Sequence, residues 1–141
     1  MFKTLLLAID VADSHGATRA SEAAVNMARS EGALLHVVNV VPDSGMSIVG
    51  SMLGPNHSDK VSKQAKTALE TWAKEAIPRD VDAKLHVAHG SIYDQIIRAG
   101  DKYEVDAIFI GAVRPGLQDY LIGPNAARVA RHAKQSVFVI R

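Results

Sequence analysis

The run Thr4-Leu-Leu-Leu-Ala-Ile9, closed by Asp10, narrows the fold more than any other part of the chain. Every position in it is apolar or nearly so, as a strand must be when both faces of its sheet are covered by helices. Related runs recur at Ala33 to Val41, ended by Pro42, and at Val105 to Gly111, while Ala83 to Ala88 alternates and Ser136 to Ile140 closes the chain. Helical patterns lie between them. Gly16 to Glu31 carries Ala20, Ala23, Ala24, Met27 and Ala28 at helical spacing. Lys60 to Ala76 sets Val61, Ala65, Ala68, Leu69, Trp72 and Ala76 on one stripe, with Lys63, Lys66, Glu70 and Lys74 elsewhere. Ser91 to Asp101 begins with Ser91 as N-cap and Asp94 completing a capping box, and the last helix runs from about Pro124 to Ala133. Alternation of this kind predicts a doubly wound parallel sheet of five strands with helices on both faces and right-handed crossovers, and the order expected for it is 3-2-1-4-5.

Size and composition agree with one such domain over residues 1–141. A chain of 141 residues buries about 70% of its unfolded surface, so no disulfide or metal staple is required. The 48% hydrophobic and 5% aromatic content suits Ala, Val, Ile and Leu packed between helices and a sheet, and a net charge of +1 offers no broad basic footprint for nucleic acid. Cysteine is absent, which removes thiol chemistry and Cys-based zinc sites. The N-terminal apolar run is too short to span a bilayer and lacks a cleavage site, so a soluble cytoplasmic protein without membrane insertion is expected. The stretch from Pro42 to Asp59 is too long for a simple turn, and reads either as a lid or partner surface or as a plain surface excursion.

In sheets of this order ligands bind beyond the carboxyl ends of the strands where the order reverses, here between strands one and four. Ile9 and Asp10 would line one side, and Gly111 with the Arg114 loop the other. Asp10 could accept hydrogen bonds from a base or sugar, or cap its own turn. The segment after strand one is no glycine-rich dinucleotide fingerprint, and no Walker-type loop occurs anywhere. Near the C-terminus, strand four runs into Gly111, a polar loop follows, and a helix starts at Gly123, so backbone amides and the helix dipole converge where an anion could sit. Catalytic constellations are thin. His86 and His89, three apart on a strand, should point to opposite faces and make poor joint metal ligands. His36 and His132 read as structural, and Ser14 with Asp10 and His15 lacks a nucleophile elbow.

These features together make the chain resemble the universal stress protein family over essentially its whole length. The matching marks are Asp10, His36-Val37, Gly90-Ser91, Val105-Asp106-Ala107-Ile108-Phe109-Ile110-Gly111, Gly123-Pro-Asn-Ala-Ala-Arg-Val-Ala-Arg-His-Ala133 and Ser136-Val-Phe-Val-Ile140. The resemblance implies a Rossmann-like, adenine nucleotide alpha hydrolase-like fold. Nucleotide-binding members carry Gly-x2-Gly-x9-Gly-Ser/Thr; here Gly111 and Gly123 supply the outer positions, Arg114 replaces the second glycine, the interval is one residue short and Pro124 replaces the hydroxyl residue. This variant looks like a branch that retains ATP binding.

By that resemblance Ala8, Ile9 and Asp10 would line the adenine and ribose pocket, Val37 would meet adenine through its main chain, and Gly111 would admit the sugar. Val113 and Arg114 would flank the phosphates, and Gly123, Asn125 and Ala126 would offer donors at the helix start. Arg128 and Arg131, further along that helix, read as solvated charges. The resemblance further implies ATP as ligand, with magnesium as its accompanying ion, a sensing or regulatory role in a stress response, an unidentified protein client, and a homodimer through the Ser136–Ile140 edge strand. A nucleotide-free dimeric interaction module is the alternative, and a weak ATPase or autophosphorylating protein the third reading. No metal carboxylate cluster or general base is evident for fast phosphoryl transfer.

Overall fold

The computed structural model describes residues 1–12, 14–42, 57–112 and 123–141. Five strands, β1 (Thr4–Ile9), β2 (Leu34–Val41), β3 (Ala83–His89), β4 (Ala107–Gly111) and β5 (Ser136–Ile140), form one sheet in the order β3-β2-β1-β4-β5. All four neighbouring pairs are parallel, as expected from the alternation of strands with helices. The helices are α1 (Ser14–Glu31), α2 (His57–Ala76), α3 (Ile92–Lys102) and α4 (Pro124–His132).

The apolar run of β1 is explained by the two layers it separates. Leu5, Leu7 and Ile9 join Leu35, Val37, Ala107 and Phe109 against α1 and α2, whose buried residues include Ala17, Ala20, Ala24, Ala28 and Leu69. Leu6 and Ala8 join Val38, Ile108 and Ile110 on the other face, beneath Ile96 and Ala99 of α3 and Ala126 and Val129 of α4. Alternate residues therefore serve opposite cores, and no position from Leu5 to Ile9 is left for a polar side chain. The alanines of α1 fall at spacings of three and four, so one side of that helix is small enough to lie close to the central strands.

Asp106 fixes how β1 meets β4. Its Oδ2 accepts the amides of Lys3 and Thr4 at 2.8 and 3.0 Å, while its own amide donates to the Thr4 carbonyl at 2.8 Å. Those amide donors hold the carboxyl below the usual carboxylate range. The commitment of Val105 and Asp106 to these contacts explains why β4 begins at Ala107 and not at Val105: the Val105 amide donates to the Gly100 carbonyl at 3.0 Å, finishing α3.

Element ends otherwise differ from the sequence expectation by one to three residues; α1 starts at Ser14 and α2 at His57, and α4 stops at His132. The capping box at α3 does not form. Ser91 holds the extended N-cap conformation but makes no side-chain cap bond, and Asp94 instead pairs with Arg98 at 2.7 Å, a charge-assisted contact one helical turn on. Of the stretch from Pro42 to Asp59, His57 to Asp59 belong to α2, and residues 43–56 lie outside the described residues.

Two helices end on the same left-handed device. After α1, Gly32 takes φ +63° and the Ala33 amide donates to the Ala28 carbonyl at 2.9 Å. After α3, Glu104 takes φ 51°, its amide donates to the Asp101 carbonyl at 3.2 Å, and Val105 donates to Gly100. This is the Schellman arrangement, in which glycine is the unstrained residue and a side chain costs about 1–2 kcal/mol. Opposite substitutions should therefore act in opposite directions. Gly32→Ala should lower unfolding free energy by about 1 kcal/mol although its new methyl meets nothing within 4 Å, and Glu104→Gly should raise it by about 0.5 kcal/mol after the greater freedom of glycine in the unfolded chain is offset. Urea unfolding checks both, and changes of the same sign would contradict the assignment.

Candidate functional site

The sheet brings three chain segments together at its carboxyl end. Ala8 stands level with Ile110, which places Ile9 and Asp10 beside Gly111, at the point where the chain has built outward through β2 and β3 and then crosses to β4. Ala8 and Ile9 are buried, Gly111 is half-buried and Asp10 is exposed. Asp10 closes its own turn, its Oδ1 accepting the Ala12 amide at 3.0 Å, so the capping role weighed for it is present. A carboxylate has further acceptor sites, and this one remains at the rim of the crevice.

The third segment arrives through α4. The Gly123 amide donates to the Ala112 carbonyl at 2.6 Å, and the Ala112 amide donates to Ile140 of β5 at 2.7 Å, so the start of α4 is pinned to the end of β4. Gly123 is the extended N-cap residue and its carbonyl accepts the first intrahelical bond, from Ala127 at 3.0 Å. The Gly123 amide, expected as a donor to ligand, is engaged here by the Ala112 carbonyl just past the end of β4. Pro124 has no amide, so the first-turn donors of α4 belong to half-buried Asn125 and buried Ala126, at the positive end of the helix dipole. Val113 and Arg114 lie outside the described residues.

Val37 sits lower in the sheet than the other residues expected at the site. It is level with Leu7 on one side and Leu85 on the other, and its side chain is fully buried against the α1 and α2 layer. The β2 residue level with Ile9 is Asn39, one of three buried polar side chains among the described residues. Sequence reading passed over Asn39; an amide at the carboxyl end of an apolar strand was the available signal.

Other polar pairs lie apart from this crevice. His86 and His89 do project to opposite faces of β3: His86 Nε2 meets His36 Nδ1 at 2.8 Å, and His89 Nε2 meets the Ser62 hydroxyl of α2 at 2.7 Å. Arg128 lies over the Tyr93 ring, 5.1 Å from its centroid, so this charge covers an aromatic face as well as meeting solvent. Among the described residues no group of three or more His, Asp or Glu side chains is placed to hold a metal ion, and no helix is long and apolar enough to cross a membrane.

Comparison with known proteins points in one direction. The model of the universal stress protein family matches residues 1–141. Universal stress protein G of Salmonella typhimurium is 27% identical over 143 residues, an alignment covering all of both chains. Among solved structures, the universal stress protein of Archaeoglobus fulgidus in complex with dAMP superposes with a TM-score of 0.71 at 24% identity, over 99% of this chain and 98% of that one. A universal stress protein in complex with cAMP superposes with a TM-score of 0.65 at 22% identity, over 99% and 97%.

The pinned start of α4 generates a direct test. A Cβ on Gly123 would lie 3.2 Å from the Ala112 carbonyl oxygen, a backbone atom with little room to give. Gly123→Val should therefore destabilise the fold by about 1–2 kcal/mol and Gly123→Ala by less, as overpacking does. Urea midpoints unchanged in both variants would show that α4 does not start where Gly123 meets Ala112.

Proposed function

The chain belongs to the universal stress protein family, and from that premise we propose that it is a cytoplasmic, regulatory adenine-nucleotide-binding protein of a stress response. The observation that carries this reading is the convergence of Ile9 and Asp10, Gly111, and the first turn of α4 at the point where the strand order reverses. An apolar floor suits a base, the Asp10 carboxylate suits ribose hydroxyls, and two first-turn amides suit phosphate. Relatives of the same fold have been solved with dAMP and with cAMP, ligands that share adenine, a sugar and one phosphate.

ATP is the ligand this reading favours, and Arg114 is the residue on which the distal phosphates depend. Pro124 and the engaged Gly123 amide leave fewer backbone donors than a full phosphate loop would have, and a guanidinium between β4 and α4 can restore a charge-assisted contact worth about 1.5–3 kcal/mol. Any magnesium would be held chiefly by phosphate oxygens and water, consistent with how that ion is bound beside nucleotides. Nucleotide then serves to bias conformation or partner binding, not rapid turnover. The same missing donors favour the second reading, a nucleotide-free interaction module, and that gives the first experiment its value.

Mass spectrometry of the denatured protein should reveal co-purified adenine nucleotide. Calorimetry should show saturable ATP binding, weakened about tenfold or more by Arg114→Ala while adenosine binding stays the same. Unchanged ATP binding in that variant would remove Arg114 from the phosphate site, equal loss for both ligands would point to a folding defect, and no binding of either by the unaltered protein would favour the interaction module.

We further propose a homodimer through β5. This strand lies at the sheet edge beyond β4, and its side chains are already engaged inward: Phe138 stacks on Phe109 with centroids 4.6 Å apart and meets Phe2 edge-on at 5.9 Å. An apolar edge of this kind invites pairing, and antiparallel pairing about a two-fold axis satisfies both copies at once. Sedimentation equilibrium at micromolar concentration should give twice the chain mass; a monomer there would contradict the dimer.

A further inference from the structure

His36 of β2 and His86 of β3 meet on the α3 face of the sheet, away from the crevice. His36 Nδ1 and His86 Nε2 are 2.8 Å apart, and His86 Nδ1 lies 3.1 Å from the Tyr103 hydroxyl at the end of α3. The Tyr103 ring also stacks on both imidazoles, at 4.5 Å from His36 and 4.1 Å from His86. His36 is only 6% exposed.

The proton count of this cluster is restricted. Two ring nitrogens facing each other at hydrogen-bond distance must share one hydrogen. With both rings neutral, the tyrosine hydroxyl donates to His86 Nδ1 and His86 Nε2 donates to His36 Nδ1, or the whole chain runs in reverse. One added proton lets His86 donate from both nitrogens, to Tyr103 and to His36. A second proton places hydrogens on both facing nitrogens with no acceptor between them, and two cations in contact.

The surroundings oppose the added charge. Lys84 of β3 stands level with His36 and Lys102 ends α3, while Asp82, just before β3, is a carboxylate that offsets part of the Lys84 effect at His36. Burial, followed by Lys84, pushes His36 below the ordinary histidine range; burial, followed by His36, Lys102 and Lys84, does the same to His86. The attachment point carries backbone strain. Tyr103 is the C-cap of α3, and the next residue, Glu104, is the non-glycine residue held in the left-handed region among the described residues.

We propose that His36, His86 and Tyr103 form an acid-sensitive latch that ties the end of α3 to β2 and β3 while the histidines share at most one proton between them, and that releases Tyr103 and the β3 edge when both are protonated. The latch does not depend on the nucleotide reading and is tested on the protein alone.

The sign follows from where each state takes up protons. The unfolded chain binds them near pH 6.5 and the folded latch only at lower pH, so the stabilisation is complete above pH 6.5, is lost as pH falls below it, and stops falling once the folded histidines protonate. Urea unfolding from pH 7.5 to 5.5 should cost the folded state up to about tenfold in equilibrium constant for each latch histidine. The chain has six histidines, so the readout is the difference made by His36→Phe and His86→Phe, which keep a ring in the stack and should flatten the slope. In the unaltered protein, NMR of the ring nitrogens should show both rings titrating below 6.5. Hydrogen exchange over residues 99–105 should quicken on acidification after correction for intrinsic rates. A wild-type pH slope retained in both variants, or either ring titrating at or above 6.5, would overturn the latch, even if a variant failed to fold.

Discussion

The burial of β1 on both faces is the constraint from which the rest of the molecule follows. Leu5, Leu7 and Ile9 can leave water only if α1 and α2 lie on one side, and Leu6 and Ala8 only if α3 and α4 lie on the other. A central strand of this kind needs parallel neighbours joined by helices, and β2 and β4 take those places. The Asp106 clamp on the amides of Lys3 and Thr4 then sets the register of β1 against β4. That register in turn decides which residues stand at the carboxyl rim. The crevice is a consequence of how the core is filled.

Much of this architecture was legible because it depends on local patterns. The apolar runs, the alanine spacing of α1 and the right-handed rule for crossovers suffice for a parallel sheet between two helix layers, and the observed order is the one taken for such a sheet. The opposite orientations of His86 and His89 follow from strand geometry alone. The failed capping box at Ser91 shows the limit of a local motif: Asp94 had a charged neighbour, Arg98, at the right spacing, and that contact formed instead.

What stayed hidden depends on distance along the chain. The His36 and His86 pair joins residues fifty positions apart and exists only because of the register between β2 and β3. The Ser62 and His89 contact and the Gly123 amide turned toward Ala112 are hidden for the same reason. Glu104 is a different case. A glutamate gives no signal of a left-handed residue, and its conformation is imposed by the Schellman bonds that end α3 and by the commitment of Val105 and Asp106 to β4 and β1.

On the proposed reading, ligand chemistry at the crevice would rest on few groups: an apolar floor at Ala8 and Ile9, one rim carboxylate at Asp10, and the first-turn amides of Asn125 and Ala126, with Arg114 as the residue that would complete a phosphate site. The most direct measurement is an amide-resolved NMR titration with ATP. Binding at the crevice predicts saturable shifts concentrated at Ile9, Asp10, Gly111, Asn125 and Ala126, with α2 and the His36 cluster little changed. Shifts confined to another face, or none at millimolar ATP, would contradict it.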